Sequence, residues 1–362
     1  LTWIKVPVGC LDVDPGQYTR ASSPVQIAVV RRYDSVESRG AMISRSHQMN
    51  VVFHYAAGPH LVTRLSQFEA AGLNVSVCPE ADHRRFRALM ADTEVLWHLL
   101  EPFTADLVAA SPRLRLIQKI GVGVNTIDLE AAERQGIAVC NMPGTNSPAV
   151  AEMTLLLMLA TLRRLVQLDA ATHAGQGWGL PLALQDHYGE LAGRTVGLVG
   201  YGAVPSRLAP VLSAMGARVI YTSPIEKSGA VGQFCSLEQL LAESDLVSLH
   251  VPLVANTRKL IDEAAIKRMK PGAVLINTAR GALIDEAALH AALRSGRLGA
   301  AGLDVFEEEP TPVDSLLLGL ENVVVTPHVA WLTGETMERS LLVAVENCRR
   351  LVAGEALLHQ VA

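Results

Sequence analysis

The chain has 362 residues, more than one ordinary core accommodates and suited to two domains of about 100–200 residues each. Hydrophobic residues make up 49% and aromatics only 4%, so the core must be assembled from Ala, Val, Leu and Ile, which helices use when packed on a parallel sheet. The net charge of -5, with no long Lys/Arg run and no uninterrupted apolar stretch of about 18 residues, argues against nucleic-acid and membrane partners.

Residues 1–45 mix Pro, Gly, Ser and charge without a sustained period and read as a loosely held extension. No basic segment followed by a long apolar run opens the chain, so no secretory signal is read there. The five cysteines (Cys10, Cys78, Cys140, Cys235 and Cys348) are odd in number and form no C-x-x-C pair. That argues against a disulfide framework or a metal site and points to a reducing compartment, the cytoplasm. Regular alternation begins at Met49. NVVFHY reads as a strand, HLVTRLSQFEAAG as an amphipathic helix closed by Gly, and NVSVCP, TEVLWHLL, LRLIQKIG and GIAVCN as further strands with helix-sized segments between them. Strands alternating with helices imply parallel pairing through crossovers. From Ser147 to Leu168 the pattern changes to one long helix, apolar over most of its circumference, which predicts burial between domains or at a subunit interface. Alternation restarts at Arg194 and runs to Thr326. A last helix, Gly334 to Val352, is free to return to the first unit.

Within the second run, RTVGLVGYGAVPSRLAPVLSAMGARVIYTSP reads as strand, glycine turn, helix and second strand. Gly200 and Gly202 stand where a parallel strand hands over to a helix, allowing a tight turn and close approach of a pyrophosphate. The helix start adds unpaired N–H groups and the positive end of its dipole. Pro205 replaces the third glycine of the motif. Proline is tolerated there because the N–H it lacks has no intrahelical partner. Ser223 occupies the place of the usual ribose-binding acid, which weakens discrimination against a 2′-phosphate. No arginine stands beside it to grip one, so NAD is ahead with NADP open.

From about Asn50 to Val352 the chain resembles the D-isomer-specific 2-hydroxyacid dehydrogenases. The resemblance rests on GVGVNTIDLEAAERQGIAVCNMPGTNSPAVAEMTLLLML, the glycine turn, HVPLVANTRKLI, MKPGAVLINTARGALID, AGLDVFEEEP and VVVTPHVAW, all in the family's order. It implies two doubly wound parallel-sheet α/β domains, a Rossmann cofactor domain (148–328) inserted into a flavodoxin-like substrate domain (46–147 and 329–362). It also implies a homodimer through the helix 147–168. The activity implied is hydride transfer between NAD(P)(H) and a small 2-oxo or 2-hydroxy acid. PHVAW is similar to the hydroxypyruvate and glyoxylate reductase branch.

Three positions match the family's catalytic residues. Reducing a 2-oxo acid needs a cation for the carboxylate and carbonyl oxygen, and Arg280 offers a planar fork that does not lose its charge. It also needs a proton donor, and His328 brings an imidazole, the side chain that ordinarily titrates near neutrality. A carboxylate would pair with the imidazolium. Glu307, Glu308 and Glu309 compete on the residues alone, and the family's spacing favours Glu309. The resemblance further implies that Val122 and Gly123 hold the substrate carboxylate through backbone N–H groups and that Trp331 narrows the pocket mouth. Ala203 and Val204 would face the pyrophosphate, Thr154 a phosphate, and Asp304 the nicotinamide amide. Thr278 and Ala279 would line the nicotinamide, with Val251, Pro252 and Ser223 also against the cofactor. The remaining histidines (His54, His60, His98, His173, His187, His250 and His290) lack ligand-like spacing and read as structural.

Three other functions share this fold. Phosphite oxidation uses a lysine where this chain has Val122. NAD(H)-sensing co-repressors bind peptides, but this chain keeps the full Arg/Glu/His set. Formate oxidation needs additional polar pocket residues that are not evident.

Overall fold

The computed structural model describes residues 48–179, 184 and 188–362; the N-terminal extension and His187 lie outside them. The first sheet has strands β1 (Met49–His54), β2 (Leu73–Cys78), β3 (Val95–His98), β4 (Leu116–Lys119) and β5 (Ala138–Cys140), joined by helices α1 (Pro59–Ser66), α2 (His83–Met90), α3 (Ala105–Ala109) and α4 (Leu129–Arg134). All pairs are parallel, in the order β2-β1-β3-β4-β5 of a flavodoxin-like sheet. Asp82 and Asp128 start α2 and α4 by accepting the N–H groups of Arg85 and Ala131, the donors a helix start leaves over.

Two helices follow, α5 (Ser147–Leu162) and α6 (Leu165–His173), where the sequence reads as one. The break falls at Arg164, whose backbone is left-handed (φ 52°) and whose guanidinium donates to the Gly299 carbonyl at 3.2 Å. Arg163 and Arg164 interrupt the apolar run at this joint, and apolar residues resume beyond it in LVQL. The second sheet then runs β6 (Thr195–Val199), α7 (Pro205–Ala214), β7 (Arg218–Thr222), β8 (Gln233–Phe234), α8 (Leu237–Glu243), β9 (Leu246–Leu249), α9 (Glu263–Arg268), β10 (Ala273–Asn277), α10 (Glu286–Arg294), β11 (Leu298–Leu303) and β12 (Val323–Val325). Its order is β12-β11-β10-β9-β6-β7-β8, again all parallel. Every residue of β6, β9 and β10 is buried, as expected of strands covered on both faces.

The last helix, α11 (Gly334–Ala353), returns to the first sheet. Met337, Leu341, Val343, Ala344 and Cys348 pack in one core with Met49, Val51, Phe53, Trp97 and Leu116. The second sheet is thus an insertion within the first unit. Both sheets turn the C-terminal ends of their parallel strands toward a common cleft, where ligands of open α/β sheets bind. No helix among the described residues is long and apolar enough to cross a membrane.

Candidate active site

The order in which strands are added to the second sheet reverses between β6 and β9, and the glycine turn lies at that switch. Gly200 follows β6 directly with φ 97°, and a Cβ there would come within 2.7 Å of the His250 carbonyl beyond β9. Only glycine fits both the backbone angle and the approach. Gly202 behaves differently: a Cβ on it would meet nothing within 4 Å, so the turn opens a cradle. Val204 caps α7 without any side-chain hydrogen bond, and Pro205 occupies its first turn, buried against the sheet. Pro205 has no N–H, and those of Ser206 and Arg207 turn back onto the Gly202 and Val204 carbonyls. An anion here would therefore take the N–H groups of the turn itself, Gly202, Ala203 and Val204, and the cradle fits a dinucleotide pyrophosphate. Ser223, at the end of β7, turns its hydroxyl onto the Ile225 carbonyl at 2.5 Å. Val251 and Pro252 follow His250 on the β9 side, with Pro252 exposed.

Arg280, Glu309 and His328 follow β10, β11 and β12 and line one cavity of about 160 Å³ between the sheets, together with Val122, Gly123, Thr278, Asp304 and Trp331. His328 Nδ1 lies 2.6 Å from Glu309 Oε2. An ionised carboxylate only accepts, so Nδ1 carries the proton and Nε2 is left for a ligand. Glu309 is held from behind: its Oε1 accepts the Phe306 N–H at 2.9 Å. Burial pushes its carboxyl up, but the hydrogen bond and charge of His328, the Phe306 N–H and Arg280 outweigh this and hold it below the usual value. Glu307 turns away toward Lys259 at 3.8 Å, which separates it from its rival Glu309.

Two polar anchors shape the Arg280 turn. Asn277 donates to the Arg280 carbonyl at 2.8 Å and accepts the Ala279 N–H at 3.0 Å. The guanidinium lies against Gly123, where a Cβ would fall 1.8 Å from Nη2. Burial lowers the Arg280 pKa from its ordinary value, and the Glu309 carboxylate opposes that shift.

Asp304 has more to do than its position suggests. Its carboxylate accepts Thr326 Oγ1 at 2.6 Å and the N–H groups of Val329 and Ala330 at 2.9 Å each, while its carbonyl accepts the His328 N–H at 2.7 Å. It thereby fixes the turn in which His328 adopts φ 54°. Burial raises the Asp304 pKa against these bonds. Three bonds leave the carboxylate one further acceptor direction, room for an amide donor. Trp331 Nε1 donates to the His328 carbonyl at 3.0 Å, so this ring braces the same turn as well as lining the cavity. Thr154, expected at a phosphate, is fully buried, and its hydroxyl bonds the Val150 carbonyl at 2.7 Å and Thr278 Oγ1 at 2.9 Å. The long helix turns that face inward, toward β10. Sequence reasoning missed Lys119, buried at 5% exposure in this cavity wall, and its neighbour His98, read as merely structural. The signal was a lysine set between Leu116, Ile117 and Ile120 in the strand segment LRLIQKI. Among the described residues no cluster of His, Cys, Asp or Glu suits a metal ion.

Residues 155–330 match the model of the D-isomer specific 2-hydroxyacid dehydrogenase, NAD binding domain. A glyoxylate reductase of Aeropyrum pernix is 42% identical over 276 residues, 73% of this chain and 81% of that protein. This chain belongs to the D-isomer-specific 2-hydroxyacid dehydrogenases. A Thermotoga maritima hydroxypyruvate reductase is 40% identical over 248 residues, 67% of this chain and 79% of the relative. A solved protein from Thermus thermophilus superimposes with a TM-score of 0.76 at 37% identity, over 87% of this chain and all of its own. The dehydrogenase is therefore an NAD(P)-dependent oxidoreductase acting between 2-hydroxy and 2-oxo acids, with its cofactor in the seven-stranded lobe.

Proposed function

We propose that this dehydrogenase reduces glyoxylate to glycolate or hydroxypyruvate to D-glycerate, with Arg280, Glu309 and His328 as its catalytic residues. The observation that carries this reading is the convergence of the three groups, from separate strand ends, on one small cavity. Arg280 grips the carboxylate and the carbonyl oxygen of the substrate, a fork made for two oxygens. The backbone N–H groups of Val122 and Gly123 take the rest of the carboxylate. When bound, the dinucleotide supplies a hydride to the carbonyl carbon. His328 Nε2 gives its proton to the carbonyl oxygen as charge develops there, and Glu309 keeps the imidazole oriented through Nδ1. The remaining acceptor direction of Asp304 would receive the nicotinamide amide, and Thr278 and Ala279 would line the ring.

The cavity is small, about 160 Å³, which disfavours a bulky acid. Similarity to glyoxylate and hydroxypyruvate reductases favours the same acceptors. The functional units would be 46–147 with 329–362 for substrate and 148–328 for cofactor. The protein would act as a homodimer, supported by Leu156, Leu165, Val166 and Trp178, exposed on or just beyond α5 and α6. The four described cysteines are free and buried, which fits a cytoplasmic site of action. Oxidation of NADH and NADPH, followed side by side on a panel of 2-oxo acids, tests the reading. Glyoxylate or hydroxypyruvate should give the highest kcat/KM, and preference for a bulky or phosphorylated acid would overturn it.

A further inference from the structure

Lys119 and His98 are the last residues of neighbouring parallel strands and stand side by side in register. Both are buried, at 5% and 0% exposure. His98 Nε2 lies 2.6 Å from the Glu101 carbonyl and must donate to it, so Nδ1 is the acceptor that faces Lys119 Nζ at 3.4 Å. The ammonium has two further partners, the Leu99 carbonyl and Thr126 Oγ1, the latter at 3.4 Å. These belong to different loops. Leu99 follows β3, Thr126 closes the glycine-rich loop after β4, and both loops wall the cavity that contains Arg280.

Every one of these partners is neutral, and among the described residues no carboxylate pairs with Lys119. A buried ammonium without a counter-charge is costly, and an anion arriving nearby relieves that cost in a low-dielectric setting. The next cation is Arg280, which shares the cavity wall. We propose that Lys119 is a positioning cation of the substrate site: it ties together the two substrate loops and, with Arg280, makes a paired positive charge that the carboxylate of the acid neutralises on binding. The assignment rests on the 2-oxo acid reading and extends it to how the anion is selected.

Burial, and after it the charge of Arg280, brings the amine down to about 7. A lowered amine pKa means that the cation is present below pH 7 and lost above it. Affinity for an anionic ligand should therefore fall as the pH rises through that value. The other titratable groups facing the cavity are Arg280, Glu309, His328 and Asp304, with His98 behind the amine. His98 is held neutral, well below its ordinary pKa, first by burial and then by Lys119 itself.

The test uses oxalate, a non-reacting anion, whose binding to the protein–NADH complex is read from nicotinamide fluorescence between pH 6 and 8.5, alongside glyoxylate kinetics. Lys119→Met should raise KM for glyoxylate and Kd for oxalate about tenfold at pH 6.5, with kcat within threefold and NADH affinity unchanged. Lys119→Arg keeps a charge that does not titrate. It should bind oxalate nearly as well as the parent at pH 6.5 and lose at least fivefold less affinity by pH 8.5. Unchanged oxalate affinity in Lys119→Met would overturn the proposal. So would a parent pH profile without a limb near 7, a measurement that needs no variant to fold. Oxalate binding needs no turnover, so an unsuitable choice of 2-oxo acid is distinguished from failure of the Lys119 assignment.

Discussion

His328 sits in a left-handed backbone conformation that a non-glycine residue adopts only under constraint. The constraints are Asp304, which accepts the N–H groups of residues 328, 329 and 330, and Trp331, which donates to the His328 carbonyl. Replacing the imidazole removes the proton donor without disturbing these bonds. His328→Ala should therefore lower kcat by about 10²–10⁴-fold, with NADH affinity by fluorescence titration within threefold of the parent. A variant that kept the parental rate would refute the assignment. Gly123 is a second sensitive point because the Arg280 guanidinium fills the volume of its absent Cβ. Gly123→Ala should fold, displace the guanidinium and lower kcat/KM by about 10²-fold, since displacements near 1 Å have costs of that size. A crystal structure and kinetics of the variant check both halves of this expectation.

At the scale of elements, the strands were legible because period and composition agree: NVVFHY, TEVLWHLL and TVGLVG are short, apolar and rich in Val and Leu, as doubly covered strands must be. The glycine turn was legible because it stands between a readable strand and a readable helix. The matched motifs carried Arg280 and His328, whereas the choice among three consecutive glutamates needed either the family's spacing or the geometry. Three features escaped. The joint at Arg164 was passed over because apolar residues resume directly after the Arg163–Arg164 pair that marks it. Thr154 lies on a helix apolar nearly all round, so its burial face was not readable from period. Lys119 was hidden because a strand pattern records that a residue points inward, not what waits there. The glycine turn itself is testable. Gly200→Ala forces a side chain into φ 97° and onto the His250 carbonyl, so it should destabilise the fold by about 1–3 kcal/mol in urea unfolding and weaken NADH binding. A variant of parental stability would mean the turn has room to relax.

For the whole molecule, three histidines, His54 and His98 buried and His250 partly so, set the behaviour in acid. Burial, followed by the charge of His83, brings His54 down to about 4; burial alone brings His250 to about 3, and His98 also lies well below its ordinary value. Each is neutral in the folded chain, while the unfolded chain takes up protons below about pH 6.5. The unfolded state then binds more protons, so stability falls on acidification, by up to about 1.4 kcal/mol per pH unit for each group between about pH 6 and 4. Urea unfolding at pH 7, 6 and 5 should trace this decline, and His250→Gln should make it shallower. Constant stability over that range would contradict the neutral buried state. The exposed apolar residues on α6 bear on assembly: Leu165→Glu with Val166→Glu should yield a monomer in sedimentation, whereas an unchanged dimer would place the interface elsewhere.

The return of α11 to the first sheet has a further consequence for synthesis. Strands β1 to β5 leave the ribosome nearly two hundred residues before the helix that must cover them. The inserted lobe can complete its core from contiguous chain, but its host lobe stays uncapped until the final stretch is made. Met49, Phe53 and Trp97 are then exposed, and this early-translated half is where a nascent chain would most need a chaperone.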